Sequence, residues 1–204
     1  MMIIPLFKGF MTTAGLITAI GMQNVFVLKQ GLMRSHVLLV IVLCCAIDSL
    51  LVTVGVNGVG KLILTVPHLL HITKYGGALF LFCYGSKALM DAYKGEMAME
   101  VNNNENKQPV TQVVLTLLAV SFLNPHTYLD TMVIIGSVGA HLANGQQIFF
   151  IIGATCASLV WFILLCYGAR FLSPYFQKRE VWRMFNIFIG LTMWAIALSL
   201  VLTE

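Results

Sequence analysis

The sequence predicts an all-α polytopic membrane protein, and three features of the 204-residue chain support this fold class. Hydrophobic residues make up 59% of the chain and charged residues 10%, whereas ordinary soluble domains have about 45–50% and about 25%. The mean hydropathy is +0.89. The apolar residues are grouped into runs long enough to cross a bilayer as helices. A soluble enzyme is excluded, because a soluble fold of this size would lack the polar residues to cover its surface.

Six apolar segments approach or exceed the roughly 20 helical residues that a hydrocarbon core of about 30 Å requires. We predict these segments at Ile3–Leu28, His36–Gly58, Leu69–Met90, Gln112–Val138, Gln147–Phe171 and Met184–Leu202. A polar, Asn-rich loop over residues 95–110 separates two halves of three segments each, 1–94 and 111–204, in one integral membrane domain. With three segments per half, the second half starts on the opposite side of the membrane. Any internal repeat therefore has inverted topology.

The first segment is interrupted near its middle by Gly21, Gln23 and Asn24. The fourth segment is interrupted at the corresponding place by Asn124-Pro125-His126. Paired interrupted segments point to the binding site of a transporter. Two topologies stay open: if the first segment crosses fully, the chain starts outside, and if it is re-entrant, the chain starts in the cytoplasm and five segments cross.

Two carboxylates lie deep in the predicted segments. Asp48 is twelve residues into the second segment, about 18 Å along a helix and near the bilayer centre. Asp130 follows Asn124 by six residues in the fourth segment. An Asp at this depth costs roughly 2.5–3.5 kcal/mol, and such residues normally face a bundle interior or a water-filled cavity and bind cations or protons. The alternative is a protonated Asp hydrogen-bonded to a neighbour such as Ser49 or Tyr128.

The Asn124-Pro125 pair predicts a break in the fourth helix. Proline has no backbone donor and disfavours helix for the residue before it, so the helix stops near Asn124 and restarts at Pro125. The restart leaves free N–H groups and the positive end of a helix dipole at mid-membrane, where they suit a substrate carboxylate. The alternative is a purely structural kink.

The third, fifth and sixth segments carry weaker signals. Gly76, Gly77 and Gly85 predict close helix packing. Trp161 and Trp194 fall near the middles of their segments. Either ring is able to stack on a guanidinium, and packing or lipid contact is the alternative.

The distribution of basic residues predicts the orientation of the chain. Nine of the twelve Lys and Arg residues lie around the ends of segments one, three and five: Lys29, Arg34, Lys87, Lys94, Lys107, Arg170, Lys178, Arg179 and Arg183. The opposite ends carry only Lys8, Lys61 and Lys74. By the positive-inside rule, the loop 95–110 is cytoplasmic and the C-terminus is outside. This interpretation puts Lys29 in a cytoplasmic loop and Trp182 at the membrane interface.

Nothing in the composition indicates a cofactor, a metal site or a nucleic-acid partner. The net charge of +4 comes from scattered residues rather than from a basic stripe. The five cysteines, Cys44, Cys45, Cys83, Cys156 and Cys166, lie in apolar segments without metal-ligand spacing. The sequence leaves homo-oligomerisation open.

Several motifs together resemble one family, the lysine/arginine exporter (LysE) family, and within it the arginine exporters of bacteria. The fourth segment carries the most specific of them, in residues 123–131 (LNPHTYLDT) and 133–137 (VIIGS). The others are residues 21–24 (GMQN), 45–48 (CAID), 84–85 (YG), 158–162 (SLVWF) and 193–198 (MWAIAL). The resemblance covers essentially the whole chain. One departure is Met22, which stands where the family usually has a proline that enforces a helix break.

The resemblance implies a secondary transporter that exports basic amino acids, either arginine, lysine or canavanine, across the inner membrane of a bacterium. It implies functional roles for Asp48, Asp130, Asn124 and Pro125, with Gln23 and Asn24 as further candidates. In such a membrane, the orientation predicted from the basic residues puts the C-terminus in the periplasm. Export of a cation from a cell that is negative inside is uphill by about 2.3 kcal/mol per 100 mV. We therefore expect proton antiport with alternating access, in which Asp48 or Asp130 carries the proton.

Three other functions are weighed against this one. An intramembrane aspartyl protease would use Asp48 and Asp130 as a dyad, but the Gly-rich context that presents such an Asp is missing around Asp48. A channel would conduct without coupling, and the chain has no repeated filter motif. An exporter of another small metabolite or cation is the remaining alternative, although absent Cys/His clustering disfavours a soft metal.

Overall fold

The computed structural model describes residues 2–18, 21–58, 67–94, 108–143, 145–172 and 178–202. The side chains of residues 67–74, 125, 126, 172 and 200 lie outside this description. All regular structure in the described ranges is helical. Residues 95–107 of the predicted polar loop 95–110 lie outside the described ranges, and Val110 already begins a helix. The loop and the boundary between the two halves therefore stay predictions.

Eight helices follow one another along the described chain. They are α1 (Ile3–Ile17), α2 (Met22–Leu32), α3 (Val37–Val56), α4 (Pro67–Lys94), α5 (Val110–Phe122), α6, α7 (Gln147–Leu172) and α8 (Arg179–Leu202). Helix α6 is composite: α-helical over Pro125–Tyr128, π-helical over Leu129–Ile135 and α-helical again over Gly136–Ala140.

The predicted break at Asn124-Pro125 is confirmed, and the first segment is interrupted at Gly21, with Gln23 and Asn24 inside α2. Helix α5 ends at Phe122 and α6 begins at Pro125, as the restriction on the residue before a proline requires. Helix α1 ends at Ile17, and α2 begins after Gly21, whose backbone is extended (φ −110°, ψ 175°). The axes of α1 and α2 are bent by 83°. The first break therefore forms without a proline at position 22.

Glycines allow three pairs of helices to approach until their backbones touch. A Cβ on Gly9 would collide with the Phe150 carbonyl oxygen, where α1 crosses α7. A Cβ on Gly136 would lie 2.6 Å from the Gly55 carbonyl carbon, where α6 crosses α3. A Cβ on Gly85 would lie 3.0 Å from the Gly190 carbonyl oxygen, where α4 crosses α8. Small residues at crossings favour close helix packing in membranes, and the packing role predicted for Gly85 is confirmed.

The count of six crossing segments is not confirmed. Three described helices are long and apolar enough to cross a membrane: Val37–Val56, Gln147–Phe171 and Arg179–Ser199. The bent pair α1–α2 makes a fourth if it is one span. The third segment forms the 28-residue α4, whose lysines, Asp91 and polar residues lower its mean hydropathy. The fourth segment is divided into α5 and α6 by its break.

Lys29, predicted in a cytoplasmic loop, and Trp182, predicted at the membrane interface, are both buried. Lys29 is 8% exposed and Trp182 is 4% exposed. Helix α2 continues to Leu32 rather than ending at Leu28, so Lys29 lies within the helix. The Lys29 ammonium lies 6.0 Å from the centroid of the Trp182 ring and donates to Asn186 Oδ1 at 3.5 Å. The prediction of a loop position for Lys29 was therefore wrong, and the interface position of Trp182 stays a prediction.

Candidate functional site

A cavity of about 580 Å³ is lined by residues from both sides of positions 95–107. Its walls come from α1, the start of α2, α3, the break before α6, α6 itself, α7 and α8. Five of the predicted site residues line it: Gln23, Asn24, Asp48, Asn124 and Asp130. The fold thus brings together residues that are up to 107 positions apart in the chain.

The charged residues among the described lining residues of the cavity are all acidic. Among the lining residues that the structure describes, Asp48 and Asp130 are acidic and none is Lys, Arg or His. Carboxylates in a low-dielectric wall attract a cation more strongly than they would in water. The cavity is therefore suited to a ligand that carries positive charge.

Asp48 on α3 is held by side chains from two other helices. It is 5% exposed, and Gln23 Nε2 donates to its Oδ1 at 3.4 Å. The buried hydroxyl of Ser158, on α7, is a second hydrogen-bond partner. The partner suggested by sequence, Ser49, instead lies with its Oγ 2.9 Å from Thr155 Oγ1.

Asp130 lies on the π-helical part of α6 and is half-buried at the cavity wall. π-helical turns are rare and frequently occur at functional sites, since the i→i+5 pattern widens the helix and re-aims its side chains. Tyr128, the other neighbour suggested as a partner, donates its hydroxyl to the Phe122 carbonyl oxygen at 2.7 Å.

Asn124 and Pro125 form the junction of α5 and α6. Asn124 is 8% exposed and lines the cavity. The Thr127 N–H donates to the Asn124 carbonyl oxygen at 3.1 Å as the first turn of α6 forms. The positive end of the α6 dipole therefore lies at the cavity wall. Asp130 follows about one and a half turns further along α6.

Asn24 is tied to two other elements. Its Nδ2 donates to the Ile17 carbonyl oxygen at 2.8 Å, and its Oδ1 accepts from Trp161 Nε1 at 3.1 Å. Trp161 is half-buried and is not among the described lining residues. Trp194 lies away from the cavity as well. Its ring stacks on that of Phe82 with centroids 5.2 Å apart, and its Nε1 donates to the Phe82 carbonyl oxygen.

Sequence reasoning missed a set of hydroxyl groups on the cavity wall. They belong to Thr13, Thr127, Thr131, Ser158, Thr192 and Ser199. Serine and threonine are common in membrane helices, where they often bond only to their own backbone. Their types and spacing alone carry no signal that would have separated these from the other hydroxyls of the chain. Among the described residues, no group of three His, Cys, Asp or Glu side chains is arranged to hold a metal ion.

Comparison of the sequence with known proteins identifies the family. Residues 14–204 match the family model described as LysE type translocator. The chain belongs to the LysE family. As a LysE translocator it is a transporter and not an enzyme, and its apolar helices make it a multi-pass membrane protein.

Curated relatives cover the LysE chain almost end to end. The arginine exporter protein ArgO of Serratia proteamaculans is 39% identical over 193 residues, which are 95% of this chain and 94% of that protein. The ArgO proteins of Klebsiella pneumoniae and Salmonella enteritidis are 38% and 37% identical, over 95% of this chain and 92% of theirs. No solved structure matches this LysE chain.

Proposed function

We propose that this protein exports arginine, and other basic amino acids of similar shape such as lysine or canavanine, from the cytoplasm. The observation that carries the proposal is the cavity with two carboxylates and no basic side chain among its described lining residues. The names of the ArgO relatives support arginine as the first substrate to test.

The substrate's groups match the polarity of the cavity. Arginine carries an α-carboxylate, an α-ammonium and a guanidinium. In our proposal Asp48 and Asp130 bind the two cationic groups, and the α-carboxylate lies against the start of α6, near Asn124 and Pro125. Gln23 fixes the Asp48 carboxylate from α2. The hydroxyls of the wall offer further hydrogen bonds to the ligand.

Export against a negative-inside potential needs an energy source. Exchange of one proton for one cationic substrate cancels the electrical work of about 2.3 kcal/mol per 100 mV. In our proposal Asp48 or Asp130 binds the incoming proton when the substrate leaves, and the two halves rock around the cavity to give alternating access.

In our proposal the two halves are the two units of an inverted repeat. The order of a broken helix followed by two long helices occurs twice, as α1–α4 and as α5–α8. Each broken helix packs on the middle helix of the other half: α1 on α7 and α6 on α3. This exchange supports the proposed repeat. The distribution of basic residues supports the proposed orientation in the bacterial inner membrane, with the loop 95–110 cytoplasmic and the C-terminus periplasmic.

The test is efflux of labelled arginine from cells preloaded with an arginine-containing dipeptide. We expect the wild type to raise efflux above the empty vector and Asp130→Asn to abolish the increase at equal membrane expression. The charge is lost while the shape of the side chain is kept. Glu180→Gln is the matched control, because Glu180 is exposed in the first turn of α8, and it should export like the wild type.

Two outcomes would contradict the proposal. Efflux of neither arginine nor lysine by a well-expressed wild type would exclude basic amino acids as substrates. Wild-type activity in Asp130→Asn would exclude the cavity as the cation site. The coupling is tested separately in proteoliposomes, where export that is insensitive to collapse of the pH gradient would exclude proton antiport.

A further inference from the structure

A side-chain hydrogen bond bridges the break of each broken helix. In the first, Asn24 Nδ2 on α2 donates to the carbonyl oxygen of Ile17 at 2.8 Å. In the second, the Tyr128 hydroxyl on α6 donates to the carbonyl oxygen of Phe122 at 2.7 Å. Ile17 and Phe122 are the last residues of α1 and α5. The two bonds are therefore equivalent: a side chain of the restarted helix binds the terminal carbonyl of the helix before it.

These bonds satisfy carbonyl groups at the ends of helices, where the helix itself supplies no donor. The last four carbonyls of a helix have no intrahelical partner, and in a bilayer water is not at hand to satisfy them. Because each donor lies on the far side of the break, its bond also restrains the angle between the two helix halves. A break without such a bond would lose one of its few restraints.

Both donors are anchored to the opposite half of the molecule. Asn24 Oδ1 accepts from Trp161 Nε1 on α7 at 3.1 Å, so both ends of the Asn24 amide are engaged. The Tyr128 ring packs against the cluster formed by Ile47, Leu51 and Met132, of which the first two lie on α3. The break of each half is thus held by a helix of the other.

We propose that Tyr128 and Asn24 are the positioning residues of the transport site, each setting the angle at which the second part of a broken helix enters the cavity. This rests on the proposed function. Tyr128 sets the place of Asp130, two residues further along α6, and Asn24 sets that of Gln23 and hence of its bond to Asp48. Tyr128 is not among the described lining residues and so acts through Asp130. Asn24 is reassigned from ligand binding to positioning.

The first test is Tyr128→Phe, which removes the hydroxyl and keeps the ring. Initial rates of arginine efflux from proteoliposomes give KM and the maximal rate. We expect the KM for arginine to rise about fivefold, the factor that corresponds to one hydrogen bond of ordinary net strength. Tyr167→Phe is the control, since Tyr167 is an exposed residue of α7, and its KM should equal that of the wild type. A lower maximal rate at unchanged KM would mean a structural role only and would overturn the proposal.

Trp161→Phe tests the first break without altering a described wall residue. Loss of the indole N–H removes one of the hydrogen bonds that hold the Asn24 amide, so we expect the KM values for arginine and lysine to rise together. A rise for arginine alone would identify Trp161 as a guanidinium ligand and would overturn the positioning role on this side.

A measurement that needs no substrate separates this inference from the proposed function. Hydrogen–deuterium exchange is measured on the purified full chain of two variants. In peptides spanning residues 120–131, exchange should be faster in the Tyr128→Phe protein than in the Tyr167→Phe protein. Faster exchange would uphold the bridge across the break even if arginine were not transported. Equal exchange would overturn it even if arginine export were established.

Discussion

At the residue scale, the two carboxylates differ in their surroundings. Asp48 is 5% exposed and receives hydrogen bonds from Gln23 and Ser158, whereas Asp130 is half-buried on a π-helical turn. The sequence identified both residues from their depth in apolar segments. It did not distinguish them, because the partners of Asp48 are 25 and 110 positions away in the chain.

Thr13 is the clearest cavity residue that the sequence did not indicate. It is 2% exposed on α1, and its hydroxyl has no hydrogen-bond partner among the described residues. We expect Thr13→Val to stabilise the protein by about 1 kcal/mol, since it removes an unsatisfied buried group. The same change should raise the KM for arginine severalfold, because the substrate then loses a hydrogen-bond partner on the cavity wall. Thermal unfolding in detergent and efflux kinetics measure the two effects.

Thr12→Val is the control for this substitution. Thr12 is the neighbouring residue of α1, half-buried and not among the described lining residues of the cavity, so its KM should not change. A Thr13→Val protein that is less stable and has an unchanged KM would contradict the expected role.

At the element scale, the breaks and the glycine crossings set the shape of the cavity. The break at Asn124-Pro125 was predictable because the constraint is local and covalent. The break before Met22 also forms, with Gly21 extended and Asn24 bound to the Ile17 carbonyl. Its persistence without a proline follows from contacts that the family motif alone does not describe.

The crossing of α1 and α7 gives a matched pair of substitutions. A Cβ on Gly9 would overlap the Phe150 carbonyl oxygen, whereas a Cβ on Gly15 would meet nothing within 4 Å. We expect Gly9→Ala to lower the free energy of unfolding by about 1–3 kcal/mol through forced separation of the helices. Gly15→Ala should raise it by about 0.5–1 kcal/mol, since alanine favours helix. Melting temperatures in one detergent compare them, and equal shifts would contradict the close crossing.

At the scale of the whole molecule, orientation follows from charge and not from packing. We expect alkaline phosphatase fused to the C-terminus to be active, because this enzyme works only outside the cytoplasm. Green fluorescent protein inserted in the loop 95–110 should fluoresce, which it does in the cytoplasm. The reverse pattern would refute the orientation. Fusions at the N-terminus decide whether the first segment crosses or is re-entrant.

The position of Lys29 shows where charge counting fails. The count placed Lys29 in a cytoplasmic loop, but this residue is helical and buried against Trp182 and Asn186. Lys29 and Asn186 are 157 positions apart, so only the tertiary fold could bring them together. Eleven other basic residues remain for the count, and the sign of the predicted orientation does not depend on Lys29.

The sequence by itself determined the membrane class, the helical fold, the break at Asn124-Pro125 and the two carboxylates as candidates. These depend on composition, on local backbone sterics and on the cost of an Asp in an apolar run, all of which can be evaluated along the chain. The tertiary structure decided that the candidates share one cavity, that Asn24 bonds with Trp161 and that Thr13 lines the wall. Such contacts depend on which helices cross and on where glycines let them approach closely. No local sequence pattern specifies which residues of different helices come into contact.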